Sequence, residues 1–269
     1  MEQITSYIYE KLGVHRGKEK EIADQMVADA FSVKPDDEQI FTYEFKDKMI
    51  YVQAERIPGN DFNGYTLTYD EENFLLDQLG LKFGDNMIFL CIGVDATEED
   101  VKQVVYHELT HVLWAMKKRP KNYITKGFQF DPEVGTPLQF FQDDSEDLKL
   151  IKGYIDKVLY VLWNPDETHA FQNYSVYKDR ARVDEFCERF RKNIDALEEV
   201  YDREEEAWHE LFLIFKNGRV EKNLRIGRKF KTFKHDRFKK WFIETSRRKY
   251  DDFYKKVIKN WKSLHKDDE

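Results

Sequence analysis

At residue 96 the period of the chain changes. Before it, apolar residues fall in short segments suited to strands: Ile40 to Phe45, Lys48 to Ala54, Tyr65 to Tyr69, and the unbroken run Met87 to Ile92 between Gly84-Asp85 and Gly93. After it, they recur every three or four residues almost to the end. A two-residue repeat places side chains on alternate faces of a strand, whereas a 3.6-residue repeat lines one face of a helix. This change alone confines the chain to the α+β class, with a small antiparallel sheet first and a mainly helical half after it. One amphipathic helix, residues 18 to 32, precedes the strands, and Lys46-Asp47 is the expected turn of a hairpin.

The first helix after the change opens on Thr97-Glu98-Glu99-Asp100, which has the form of a capping box. Val101, Val104, Val105, Leu109, Val112, Leu113 and Met116 then keep helical spacing until Lys117 to Pro120 stops it. In the middle of this apolar stretch stand His107, Glu108 and His111, where leucine would be cheaper to bury. Four residues apart on a helix, the two histidines project from one face, close enough for both rings to bind one ion. Glu108 lies about 100° further round, so its carboxylate reaches a water beside that ion without displacing a histidine.

Further helices are expected at about 145 to 163, 165 to 180, 183 to 215 and 235 to 264. Residues 120 to 144, with Pro120, Pro132 and Pro137, read as a long irregular connection. The expected division is a core over residues 1–180 and a helical, basic extension over 181–269. Asn164-Pro165-Asp166-Glu167 is a helix start, with Asn164 as cap and Pro165 in the first turn. Glu167 therefore has two readings, a metal ligand or one half of a capping box.

With 269 residues, 41% of them apolar, the chain can bury a sizeable core. No run reaches transmembrane length, and acidic and basic residues interrupt the first 17 positions, so neither a membrane span nor a secretory leader is expected. Two cysteines, Cys91 and Cys187, are too few for a disulfide framework and fit a reducing, cytoplasmic setting. The net charge of −8 is uneven: Lys216 to Lys262 holds 18 Lys or Arg against five acids, a surplus of 13 that leaves −21 on the rest. Such a segment has two uses. Its interleaved aromatics, among them Phe238, Trp241, Phe242 and Phe253, either stack on the bases of a nucleic acid or form the core face of an amphipathic helix; their helical spacing favours the core.

His107-Glu108-Leu109-Thr110-His111 is the H-E-x-x-H pattern of zinc peptidases. The extended metzincin form would need Gly at 114 and His at 117, where Trp114 and Lys117 stand. Residues 97 to about 177 instead resemble a minimal gluzincin metallopeptidase: an active-site helix and, 56 residues after His111, a second helix opening on Glu167-Thr168-His169-Ala170. The resemblance implies Zn2+ held by His107, His111 and Glu167, with Glu108 as general base and a peptide or protein as substrate. His169 is the rival third ligand, and Asp131, Glu133, Asp143 and Asp144 are outside candidates. For the group that steadies the oxyanion, Tyr174 is the first choice, seven residues beyond Glu167, with Tyr177 and His209 behind it. Either the segment Tyr65 to Tyr69 or the hairpin Ile40 to Ala54 would be the sheet edge that receives substrate. The competing function is a protein of a phage or mobile element that keeps the metallopeptidase-like fold for binding or regulation.

Overall fold

A computed structural model describes residues 14–15, 17–68, 85–116, 138, 142–216 and 235–266. The chain forms two compact units, the first of Met1–Lys118, Asn173–Lys178 and Ser263–Glu269, the second of Arg119–Gln172 and Asp179–Lys262. Asp131 and Glu133 lie outside the described residues, as do most of the long connection and residues 217–234 of the basic segment.

In the first unit, helix α1 (Gly17–Ser32) is followed by strands β1 (Glu38–Phe45), β2 (Lys48–Ile57), β3 (Phe62–Thr68) and β4 (Asn86–Gly93), then by helix α2 (Glu98–Met116). The β1–β2 turn falls where expected, with Lys46 and Asp47 at φ 52° and 61°, the left-handed pair that suits the twist of a two-residue hairpin. The sheet order is β1-β2-β4-β3. Class α+β is what the chain adopts, but the sheet is mixed: β1–β2 and β3–β4 are antiparallel and β2–β4 is parallel. The cause lies in β4, whose unbroken apolar run gains most from a neighbour on both edges, and so takes the place between β2 and β3.

Ile50, Val52 and Ala54 of β2 and Ile88, Leu90 and Ile92 of β4 share one buried face. Helix α2 packs along β3 and β4 and also against α1. Its start is the predicted capping box: Thr97 N–H and Oγ1 donate to Asp100 Oδ2 at 2.9 and 2.7 Å, and Asp100 N–H donates back to Thr97 Oγ1 at 3.3 Å. Further along, Tyr106 Oη donates to Asp24 of α1 at 2.5 Å. Burial, then that carboxylate, hold the phenol above its ordinary pKa, so it stays a donor. Gly93 closes the sheet against the β2–β3 turn, where any Cβ would fall 2.3 Å from the carbonyl oxygen of Gly59.

The second unit is helical: α3 (Glu146–Val158) running into a π turn (Leu159–Trp163), α4 (Pro165–Ala170) running into a 3₁₀ turn (Phe171–Val176, whose last residues belong to the first unit), α5 (Arg180–Glu199), α6 (Glu205–Lys216) and α7 (His235–Leu264). The helix expected at 183 to 215 is thus two. The break at residues 200–204, with Glu204 at φ 45°, reverses the chain so that both α5 and α6 pack on α3, which one straight rod could not do. For the same reason the units do not part at residue 180: α3 buries its apolar face against helices from beyond that point.

Phe238, Phe242 and Phe253 of α7 are buried, and Phe242 stacks on Trp163 at 5.3 Å. These aromatics are core, so they present no faces for bases to stack on. Several cations of α7 are also engaged, Lys239 with Glu205 and Arg247 with Glu198. Among the described residues no helix is long and apolar enough to cross a membrane.

Candidate metal centre

His107 and His111 stand one turn apart in the middle of α2, as the sequence requires, and their Nε2 atoms lie 3.2 Å apart. The rings meet at 72° with centroids 4.9 Å apart, so they converge edge-on and are not stacked. Two imidazole nitrogens bound to one zinc at about 2.05 Å and a tetrahedral angle would be about 3.3 Å apart. The observed spacing matches that value. His107 is 8% exposed, and His111 is half-buried.

Glu167 stands in the first turn of α4, in the second unit, and His107, His111 and Glu167 are a group that could hold a metal ion. The backbone N–H of Asn164, which a capping box would direct to Glu167, donates to Leu159 O at 3.1 Å, closing the π turn. Thr168 Oγ1 covers two carbonyls of the preceding turn, Val161 O at 2.5 Å and Asn164 O at 2.7 Å. His169, the rival ligand, is buried and outside the cluster. Asp144 is committed to an ion pair with Lys152 at 3.0 Å, and Asp143 is exposed.

Glu108 is 3% exposed, a costly position for a carboxylate unless it is hydrogen-bonded. Strand β3 meets that need. Thr66 Oγ1 donates to Glu108 Oε2 at 2.7 Å, and Gly64, two residues before it on the same face, leaves the space that the glutamate stem occupies. Neither residue stands out in the sequence, where both belong to an ordinary strand. Among the described residues β3 pairs only with β4 and ends the sheet on the side that runs along the histidine helix. This selects Tyr65 to Tyr69, of the two expected edges, as the one beside Glu108; Tyr69 itself lies outside the described residues.

The oxyanion candidates are placed differently from expectation. Ala170 ends the α-helical turn, and the passage to 3₁₀ geometry carries Tyr174 about 60° away from the face of Glu167. The Tyr174 ring sits 5.7 Å from that of Tyr177. Tyr177 is a structural residue whose hydroxyl donates to Asp100 Oδ1 at 3.1 Å. His209 is exposed on α6.

No known protein family, curated protein or solved structure matches the chain. The functional reading accordingly rests on the chemistry of these residues.

Proposed function

We propose that the protein is a zinc-dependent peptidase of the cytoplasm, with His107, His111 and Glu167 as metal ligands and Glu108 as general base. The observation that carries this reading is the 3.2 Å convergence of two imidazole Nε2 atoms, which with Glu167 make a group that could hold a metal ion. Two imidazoles and one carboxylate form a donor set that suits zinc and leaves a coordination position open. Zinc held by these residues would lower the pKa of a water toward neutrality and draw electron density from a carbonyl oxygen.

Glu108 takes a proton from the attacking water as the new C–O bond forms, then hands it to the amine as the C–N bond breaks. Thr66 engages Oε2, which leaves Oε1 of the same carboxylate for the water. An extended peptide added to the outer edge of β3 would run past Glu108, with its backbone groups satisfied by the strand. Tyr174 stays the candidate phenol for steadying the oxyanion although it stands about 60° off the face of Glu167, and Tyr174→Phe tests that part alone.

Elemental analysis and cleavage of a diverse peptide library test the whole. Wild type is expected to hold one zinc and to cleave, His107→Ala to lose the metal, and Glu108→Gln to keep the metal and lose cleavage. Wild-type protein that holds zinc yet cleaves nothing favours a binding or regulatory role, and protein that takes up no zinc removes the reading.

A further inference from the structure

Strand β3 alternates two kinds of residue. Gly64 and Thr66 face α2, where the Glu108 stem fills the space beside Gly64 and the Glu108 carboxylate accepts from Thr66. Tyr65, between them, faces the opposite way. The ladder with β4 alternates as well, and its phase is fixed at one end: Gly93 N–H donates to Asp61 O at 2.6 Å, so Asp61 and every second residue after it turn their backbone groups toward β4. Tyr65 is thus the hydrogen-bonded partner of Phe89, whose carbonyl oxygen lies 3.1 Å from where a Gly64 Cβ would stand. Gly64 and Thr66 turn their N–H and C=O groups outward instead, to the edge at which, among the described residues, no further strand pairs. The residues that touch Glu108 are therefore the ones that offer backbone hydrogen bonds to an incoming chain.

Tyr65 stacks on Phe89 with ring centroids 4.4 Å apart and planes at 11°, yet it remains 54% exposed. Phe89 covers one side of the ring, and the rest is open at the sheet edge. An antiparallel peptide that bonds Gly64 and Thr66 sets the residue between those two bonding positions directly opposite Tyr65. That pair is of the non-hydrogen-bonded kind, in which side chains stand closest, and both side chains lie on the same face. A ring at that position extends the Phe89–Tyr65 stack by one member. We infer that Tyr65 is a specificity-determining residue, which selects extended peptides with an aromatic side chain between the two residues that face Glu108. This rests on the reading of β3 as the substrate edge, and binding there makes no use of a metal.

The test measures binding by fluorescence anisotropy on the full chain carrying Glu108→Gln, so that no probe is cut. The probes are two fluorescein-labelled Thr/Gln peptides, one with a single central Phe and one with Ala in its place. The Phe probe is expected to bind about 3–10-fold more tightly, the scale of one aromatic pair. Tyr65→Ala should abolish that difference by weakening the Phe probe alone, and Tyr65→Phe should keep it. Tyr65→Thr, which brings a residue at home in strands, should repeat the loss and keeps the test open should Tyr65→Ala fold poorly. Equal affinity for the two probes before substitution, or a preference for Phe that persists in both Tyr65→Ala and Tyr65→Thr, would overturn the aromatic selection and leave the substrate edge standing. Binding of neither probe would overturn the edge and the selection together.

Discussion

A Cβ added to Gly64 would lie 2.9 Å from Glu108 Cγ and 3.0 Å from Val104 Cγ2. The edge strand and the histidine helix approach this closely because one residue of β3 has no side chain, and the space goes to the stem of Glu108. The carbonyl oxygen of Phe89, 3.1 Å from the same point, belongs to backbone and closes the other direction of escape. Gly64→Ala is thus expected to displace Glu108, lowering stability by about 1–3 kcal/mol through overpacking. Peptide cleavage should fall at least tenfold while zinc content stays at the wild-type level. Unchanged kcat in a folded Gly64→Ala protein would contradict this.

Thr66 offers a more conservative probe of the same carboxylate. Thr66→Val keeps the volume and removes the donor to Oε2. Loss of one hydrogen bond to a charged group is worth about 1.5–3 kcal/mol, so kcat is expected to drop by roughly 10-fold or more, with KM little changed and zinc retained. Thr66→Ser should recover most of the activity. Steady-state kinetics on the three proteins decide the point, and a Ser variant as impaired as the Val variant would mean that the methyl group, not the hydroxyl, is what matters.

The two cysteines should differ from ordinary thiols in opposite degrees of access. Cys187 is buried in α5, and burial first, then Asp184, push its thiol up to about 12 against a smaller opposing effect of Arg180. Cys91 is half-buried on β4, and burial with the neighbouring Glu55 carboxylate raises it too. A raised thiol pKa means less thiolate at a given pH. In native protein near pH 8, maleimide is expected to modify Cys91 slowly and Cys187 not at all, while both react in denaturant. Mass spectrometry of the labelled protein reads this directly. Rapid labelling of native Cys187 would show that α5 does not hold it in the core.

Arg247 hydrogen-bonds the carboxylate of Glu198 and holds its pKa below the usual value of 4.5, against a small upward push from desolvation. A depressed carboxylate stabilises the fold above its unfolded pKa, and that contribution is lost as the pH falls through the folded value. Both side chains are exposed, so solvent limits the contribution to within about 1 kcal/mol. Urea midpoints should accordingly place Arg247→Ala slightly below wild type at neutral pH, with the two converging in strongly acidic solution. A gap that widens on acidification would have the wrong sign for this pair.

Much of the fold was legible in the sequence because it depends on short stretches of chain. The hairpin at Lys46-Asp47, the capping box of Thr97 and Asp100 and the convergence of His107 with His111 follow from spacings of two to four residues. Steric limits and local hydrogen bonds settle such features without reference to the rest of the molecule. Helix breaks were less legible. Whether residues 200–204 continue a helix or reverse it depends on where the apolar faces of α5 and α6 find a partner, and that partner, α3, lies some fifty residues away.

The residues around Glu108 and the histidine turn were beyond reach for the same reason. Gly64 meets Glu108 across 44 positions, and Asn173 meets Thr110 across 63. The backbone bond from Asn164 to Leu159, at the start of the helix that carries Glu167, exists only because the preceding helix widens into a π turn. The amino-acid sequence by itself determined the period of each segment and the chemistry carried on the histidine helix. Tertiary structure alone decided which distant backbone leaves room and which side chain anchors, because these are contacts that no local rule of chain geometry encodes.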